Sequence, residues 1–181
     1  MMMARLIWGA IMSRFVSLRT FLLLFVLALV FKYALFGPIT RRIGDDAPEH
    51  DTFDTRWRGY TATDAVNLLT YYGEHGRQLY RRLQLSVDLV FPLIYSSMLA
   101  VAIAGGFGAF RWLRPLALLP FVAALFDYGE NANVVRMIDR YPNVEGIVNV
   151  ASFCTRTKCV LLLVCFVLAV ISGIMLLLRR S

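Results

Sequence analysis

Twenty consecutive residues from Cys159 to Leu178 carry no charge, and Arg179-Arg180 follow at once. An apolar run of that length matches a helix crossing a hydrocarbon layer ~30 Å thick. Three further apolar runs, Thr20 to Phe36, Leu85 to Ala104 and Pro115 to Phe126, are separated by polar segments. The chain is 59% hydrophobic and 17% charged over 181 residues, whereas an ordinary soluble domain is roughly 45–50% apolar. The pattern predicts an all-α polytopic membrane protein, a single integral membrane domain built as a four-transmembrane-helix bundle. Its spans fall at about 18–36, 85–106, 114–135 and 157–178, with a long, partly helical first loop over about 37–83.

The net charge of +7 does not point to nucleic acid, because the basic residues flank apolar runs rather than forming one stripe. Arg and Lys at those places suit span anchors meeting lipid headgroups, so the bilayer is the expected partner. Between Ala4 and Ser17, Leu6, Ile7, Trp8, Ile11, Met12, Phe15 and Val16 share one helical face. That predicts an N-terminal amphipathic helix on the membrane surface. A signal peptide is the alternative, but no small-x-small cleavage site precedes Gly37-Pro38, where the first span is expected to end. The run Met1-Met2-Met3 leaves the start codon open.

In the first loop, Thr61 precedes Asp64 at capping-box spacing, and Ala65, Val66, Leu68, Leu69 and Tyr72 then continue as an amphipathic helix. Gly73-Glu74-His75-Gly76 is expected to break it, with a second helix starting at Arg77. Trp57, Tyr60, Tyr71 and Tyr72 suit an interfacial aromatic belt. His75 reads as a turn residue, His50 as solvated, and Cys154, Cys159 and Cys165 as small hydrophobes without metal or redox spacing.

Two ridges of small residues suit close helix approach: Asp88, Pro92, Ser96, Ala100, Ala104 and Gly108 in the second span, and Cys165, Ala169 and Gly173 in the last. Such ridges also suit a membrane-protein partner. The connections carrying Arg without acid are the amino-terminal segment, the Gly105 to Arg114 turn and the tail. Both termini are therefore expected in the cytoplasm, in a cell membrane of bacterial inner-membrane type.

The polar residues inside the apolar runs are the candidates for chemistry, since ionisable groups in a span are costly. Asp127 follows Pro115 by twelve residues, about 18 Å along a helix, with Glu130 and Asn131 beyond it. Asp88 opens the second span from the opposite face, and Thr155, Arg156 and Lys158 open the last one there. Three spans thus bring polar groups to one level beneath the long loop. Asp127, Glu130 and Asn131 share a helical stripe, as do Asp88, Pro92 and Tyr95. Closely spaced carboxylates do not all ionise cheaply in a low dielectric, so one holds a proton or is neutralised by Lys158, Arg156 or Arg136.

The candidate ligand-binding residues are therefore Asp88, Tyr95, Asp127, Glu130, Asn131, Thr155 and Lys158, with Asp127 and Glu130 as candidate acid/base groups. Three readings stay open: a lipid or amphiphile site with or without chemistry, a purely structural clamp within a scaffold or assembly subunit, and ion or solute transport. No GxSxG, HExxH, GxxxxGK[ST] or EF-hand pattern occurs, and no cofactor or metal is expected.

Four stretches together resemble a known pattern: Gly73 to Tyr80, Asp88 to Tyr95, Leu119-Pro120 through Asp127 to Asn131, and Ala151-Ser152 with Thr155 and Lys158. The pattern is similar to that of small four-span bacterial inner-membrane proteins. The resemblance, over about Tyr60 to Lys158, implies four spans and a bacterial inner membrane, and it brings no activity with it.

Overall fold

The computed structural model describes residues 16–43, 52–108, 110 and 112–179. The expected amphipathic helix before Ser17 lies outside the described residues, as do Asp45, Asp46, Glu49, His50 and Asp51. Every regular element among the described residues is helical. Helix α1 covers Leu18–Ile43, α2 Ala62–Gln84, α3 Val87–Phe107, α4 Leu119–Asp139 and α5 Ile147–Leu178, with short 3-10 turns at Phe53–Thr55 and Arg114–Leu118. Helices α1, α3 and α5 are long and apolar enough to cross a membrane. Helix α4 has comparable length but carries Asp127, Glu130, Arg136 and Asp139.

Helix α1 starts where Ser17 Oγ accepts the Thr20 N–H at 3.1 Å. It does not end at Gly37-Pro38, as the sequence predicts. A π-helical segment, Phe31–Phe36, precedes the proline, and the Gly37 N–H bonds back to Lys32 O. The widened turn accommodates a residue that has no N–H to donate, so the helix passes Pro38 and stops at Ile43. The aromatic rings of Phe31 and Phe36 pack on Phe91 of α3, at centroid distances of 6.4 and 5.2 Å.

Thr61 and Asp64 make the expected capping box at the start of α2: Asp64 Oδ2 accepts the Thr61 N–H at 2.8 Å, and Thr61 Oγ1 accepts the Asp64 N–H at 3.2 Å. The expected break also occurs, but at one residue. Gly73 sits at φ 61° and ψ −178°, a region open to glycine alone, and the helix resumes directly after it rather than at Arg77.

Two apolar clusters result. The larger joins Ile43, Phe53, Tyr60, the inner face of α2, the end of α4 (Val134, Met137, Ile138) and the start of α5 (Val148, Ala151). We call this region the cap. An ion pair between Arg81 and Asp139, at 2.8 Å, also ties α2 to α4. Tyr60 and Tyr72 are buried in this core and so are not part of an exposed aromatic belt, whereas Trp57 and Tyr71 are exposed. The difference is one of phase: Tyr72 follows Leu68 and Leu69 on the inward stripe of α2, and Tyr71 does not.

The smaller cluster, Ile103, Phe107 and Cys165, lies at the other end of α3 and along α5. There Gly106 lets the two helices touch. A Cβ at Gly106 would collide with the Ser172 backbone, and the Gly106 N–H donates to Ser172 Oγ at 2.8 Å. The contact on α5 is thus Ser172, while the neighbouring Gly173 of the expected ridge faces open space. On the α3 ridge Ser96 is buried and its hydroxyl reaches Pro120 O of α4 at 3.2 Å.

Candidate functional site

The polar level lies between the two clusters. On α4, Asp127, Glu130 and Asn131 sit three and four residues apart and all point inward, with 0% of Glu130 exposed. On α5, Ala151, Thr155 and Lys158 share one face, and on α3 so do Asp88, Pro92 and Tyr95; all six are buried. All seven sequence-predicted site residues are therefore interior.

Lys158 is the centre. Its ammonium Nζ lies 2.9 Å from Asp127 Oδ1 and 3.1 Å from Asp54 Oδ1, and it also pairs with Glu130 Oε2. Tyr95 donates its hydroxyl to the other Asp127 oxygen at 2.7 Å, so Asp127 bridges α3 and α5. Asn131 donates Nδ2 to the main-chain carbonyl of Asp88 at 3.1 Å, fixing α4 against the start of α3. Thr155 turns its hydroxyl back to Ala151 O at 3.1 Å and gives no hydrogen bond to the lysine cluster.

Asp54 belongs to the site but is missing from the sequence-predicted set. It lies in the Phe53–Thr55 turn, amid a charged loop, with no periodicity to assign it a face. Phe53 places it: that ring is completely buried, packed on Tyr60 and Tyr80 with centroids 4.8 and 6.2 Å away. With Phe53 anchored, Asp54 reaches under the cap to Lys158. Tyr80 is the second omission. Its hydroxyl donates to Asp54 Oδ2 at 3.2 Å. Burial holds the Tyr80 phenol well above its ordinary pKa, and the Asp54 carboxylate adds to the effect, so the proton that makes this bond stays in place. The local signal for Asp54 is the pair Thr52 and Thr55, which cap the short turn from both sides.

Oxygens of Asp54, Asp127 and Glu130 lie within 4.8 Å of one another, a spacing suited to a cation, and the Lys158 ammonium contacts all three carboxylates. One buried ammonium faces three carboxylates, so the acidic groups outnumber the lysine, and removing Lys158 would leave them without a counter-charge in the interior. The exposure is uneven: Asp54 keeps 30% of its side chain accessible, against 6% for Lys158 and Asp127 and none for Glu130. The one accessible partner belongs to the cap. A groove of about 370 Å³ between the start of α2 and the α4–α5 turn is lined by none of these residues.

No family model matches the chain, and no curated protein or solved structure is similar enough to be matched to it.

Proposed function

We propose that this chain is a multi-pass membrane protein whose buried acid–lysine cluster receives the headgroup of a lipid or other amphiphile, with the cap as its lid. In this reading α1, α3, α4 and α5 cross the bilayer, and both termini face the cytoplasm of a bacterial inner membrane. The helix geometry supports it. From Lys158 to Arg179 the chain advances 21 residues along α5, about 31 Å of helix, which is close to the hydrocarbon thickness. The first eleven residues of α5 then belong to the cap. Asp88 opens α3 at that same level. Along the helices below it, large apolar side chains such as Leu23, Leu93, Leu125, Leu163 and Phe166 stay exposed, as lipid-facing positions do.

The observation that carries the site is Asp54. It is an anion presented to Lys158 by the cap, and it is the most accessible of the lysine's partners. A phosphate or carboxylate headgroup taking its place would leave the charge at Lys158 unchanged. Tyr95 and Lys158 orient Asp127, Asp127 or Glu130 exchanges a proton, and Asp88, Asn131 and Thr155 complete the wall.

The second reading makes the cluster only a clamp that holds cap to bundle, and the complete set of partners around Lys158 favours it. Asp54→Asn separates the two. Under the lid reading this variant purifies with more bound lipid by mass spectrometry, and Lys158→Met with less. A drop in stability with unchanged lipid content in both variants would leave the clamp alone standing.

A further inference from the structure

Beside the lysine cluster lies a second polar set that makes no ion pair with Lys158. Asp88 Oδ2, Asn131 Oδ1 and Gln84 Oε1 are buried acceptors with no hydrogen-bond donor among the described residues. All three side chains are interior, at 3, 6 and 2% exposure. Burying one such acceptor without a partner is costly, and three near one helix junction form a pattern that calls for a positive group.

Their placement is defined. Gln84 is the last residue of α2 and Asp88 lies in the first turn of α3, so both flank the Leu85-Ser86 joint. Asn131 approaches from α4 and spends its Nδ2 on the Asp88 carbonyl, which leaves Oδ1 as its free acceptor. The nearest ammonium, Lys158, is already committed to Asp54, Asp127 and Glu130.

We infer that Asp88, Asn131 and Gln84 form a site for a monovalent alkali cation at the α2–α3 joint. The ligand chemistry sets the class. Carboxylate and amide carbonyl oxygens are hard donors suited to hard cations. One carboxylate with two neutral carbonyls balances a single positive charge, whereas calcium sites gather more oxygens and more acid. The lysine cluster then holds a tethered cation and the adjoining set holds an exchangeable one. The inference stands on these acceptors and does not depend on a lipid ligand.

The full chain in detergent, unfolded thermally at fixed pH and ionic strength in sodium, potassium or N-methylglucamine chloride, tests it. The expected result is a saturable rise of the midpoint in sodium or potassium over the bulky organic cation. Asp88→Asn, which keeps the size and removes the charge, loses that rise, and Asn131→Ala weakens it while the Lys158 cluster is left unchanged. Equal midpoints in all three salts overturn the inference, as does a rise that persists in both variants. A midpoint that responds to acid but not to sodium or potassium also overturns it, assigning the place to a proton.

Discussion

The cap and the lower bundle are built from similar helices yet bury their apolar residues in different ways. In the cap fifteen residues are interior, among them four aromatic rings, and elements from five parts of the chain converge on them. In the lower bundle the buried apolar cluster has only three members, Ile103, Phe107 and Cys165, and α1 has no buried residue between Leu18 and Phe36. The cap encloses its own core as a water-soluble domain does. The lower helices touch at small or polar points, Gly106 with Ser172 and Ser96 with Pro120, and turn their leucines and valines outward. In the proposed bilayer setting, where lipid gives no hydrophobic drive between helices, close packing and interhelical hydrogen bonds would hold such a bundle together. The acid–lysine cluster lies where one mode of packing gives way to the other.

Removing the junction is the strongest perturbation. Lys158→Met leaves Asp54, Asp127 and Glu130 without their shared cation, and a loss of about 3–5 kcal/mol is expected in denaturant unfolding. A loss below ~1 kcal/mol would mean that the cluster does not join the two regions, since that is the scale of a solvent-exposed pair.

The contrast in burial predicts a paired outcome. Leu69→Ala, in the cap core, is expected to cost about 2–5 kcal/mol. Leu163→Ala, on the outward face of α5 at 64% exposure, is expected to stay within about 0.5 kcal/mol. Similar losses from both, measured in the same micelle, would break the comparison. Gly73→Ala comes next, at about 1–3 kcal/mol, because alanine does not adopt the Gly73 backbone without strain; the space around its Cβ is open, so the cost is purely conformational.

The smallest expected effect is at the α2 cap. The Thr61 N–H and hydroxyl hold the Asp64 carboxyl below its ordinary range. Its stabilisation is present above the unfolded-state pKa of ~3.9 and is lost as pH falls through the lower folded value. Asp64→Asn is therefore expected to differ from wild type by under about 1 kcal/mol near neutrality, after solvent screening, with the two chains converging in strong acid.

Thiol labelling of Glu74→Cys and Gly105→Cys in intact cells checks the proposed sidedness. Glu74 is exposed on the cap, and a side chain at Gly105 meets open space. Labelling from outside is expected at Glu74→Cys alone; labelling at Gly105→Cys would reverse the orientation.

Local patterning accounts for where most of the helices fall and for the level of the polar residues. Helical rise is constant, so residue counts from Pro115 and from the start of α3 place Asp127, Glu130 and Asp88 without any knowledge of packing. The same periodicity shows Lys158 on the face shared with Thr155, and a capping pair is legible because its bonds span only three residues. Tertiary structure decided the rest. Asp54 and Lys158 are 104 residues apart, and nothing local to either predicts their contact. The burial of Tyr60 and Tyr72, the choice of Ser172 over Gly173, and the passage of α1 through Pro38 likewise depend on what packs alongside. A helix fixes where its own residues stand along one axis. Which neighbour each one meets is set only when the helices assemble.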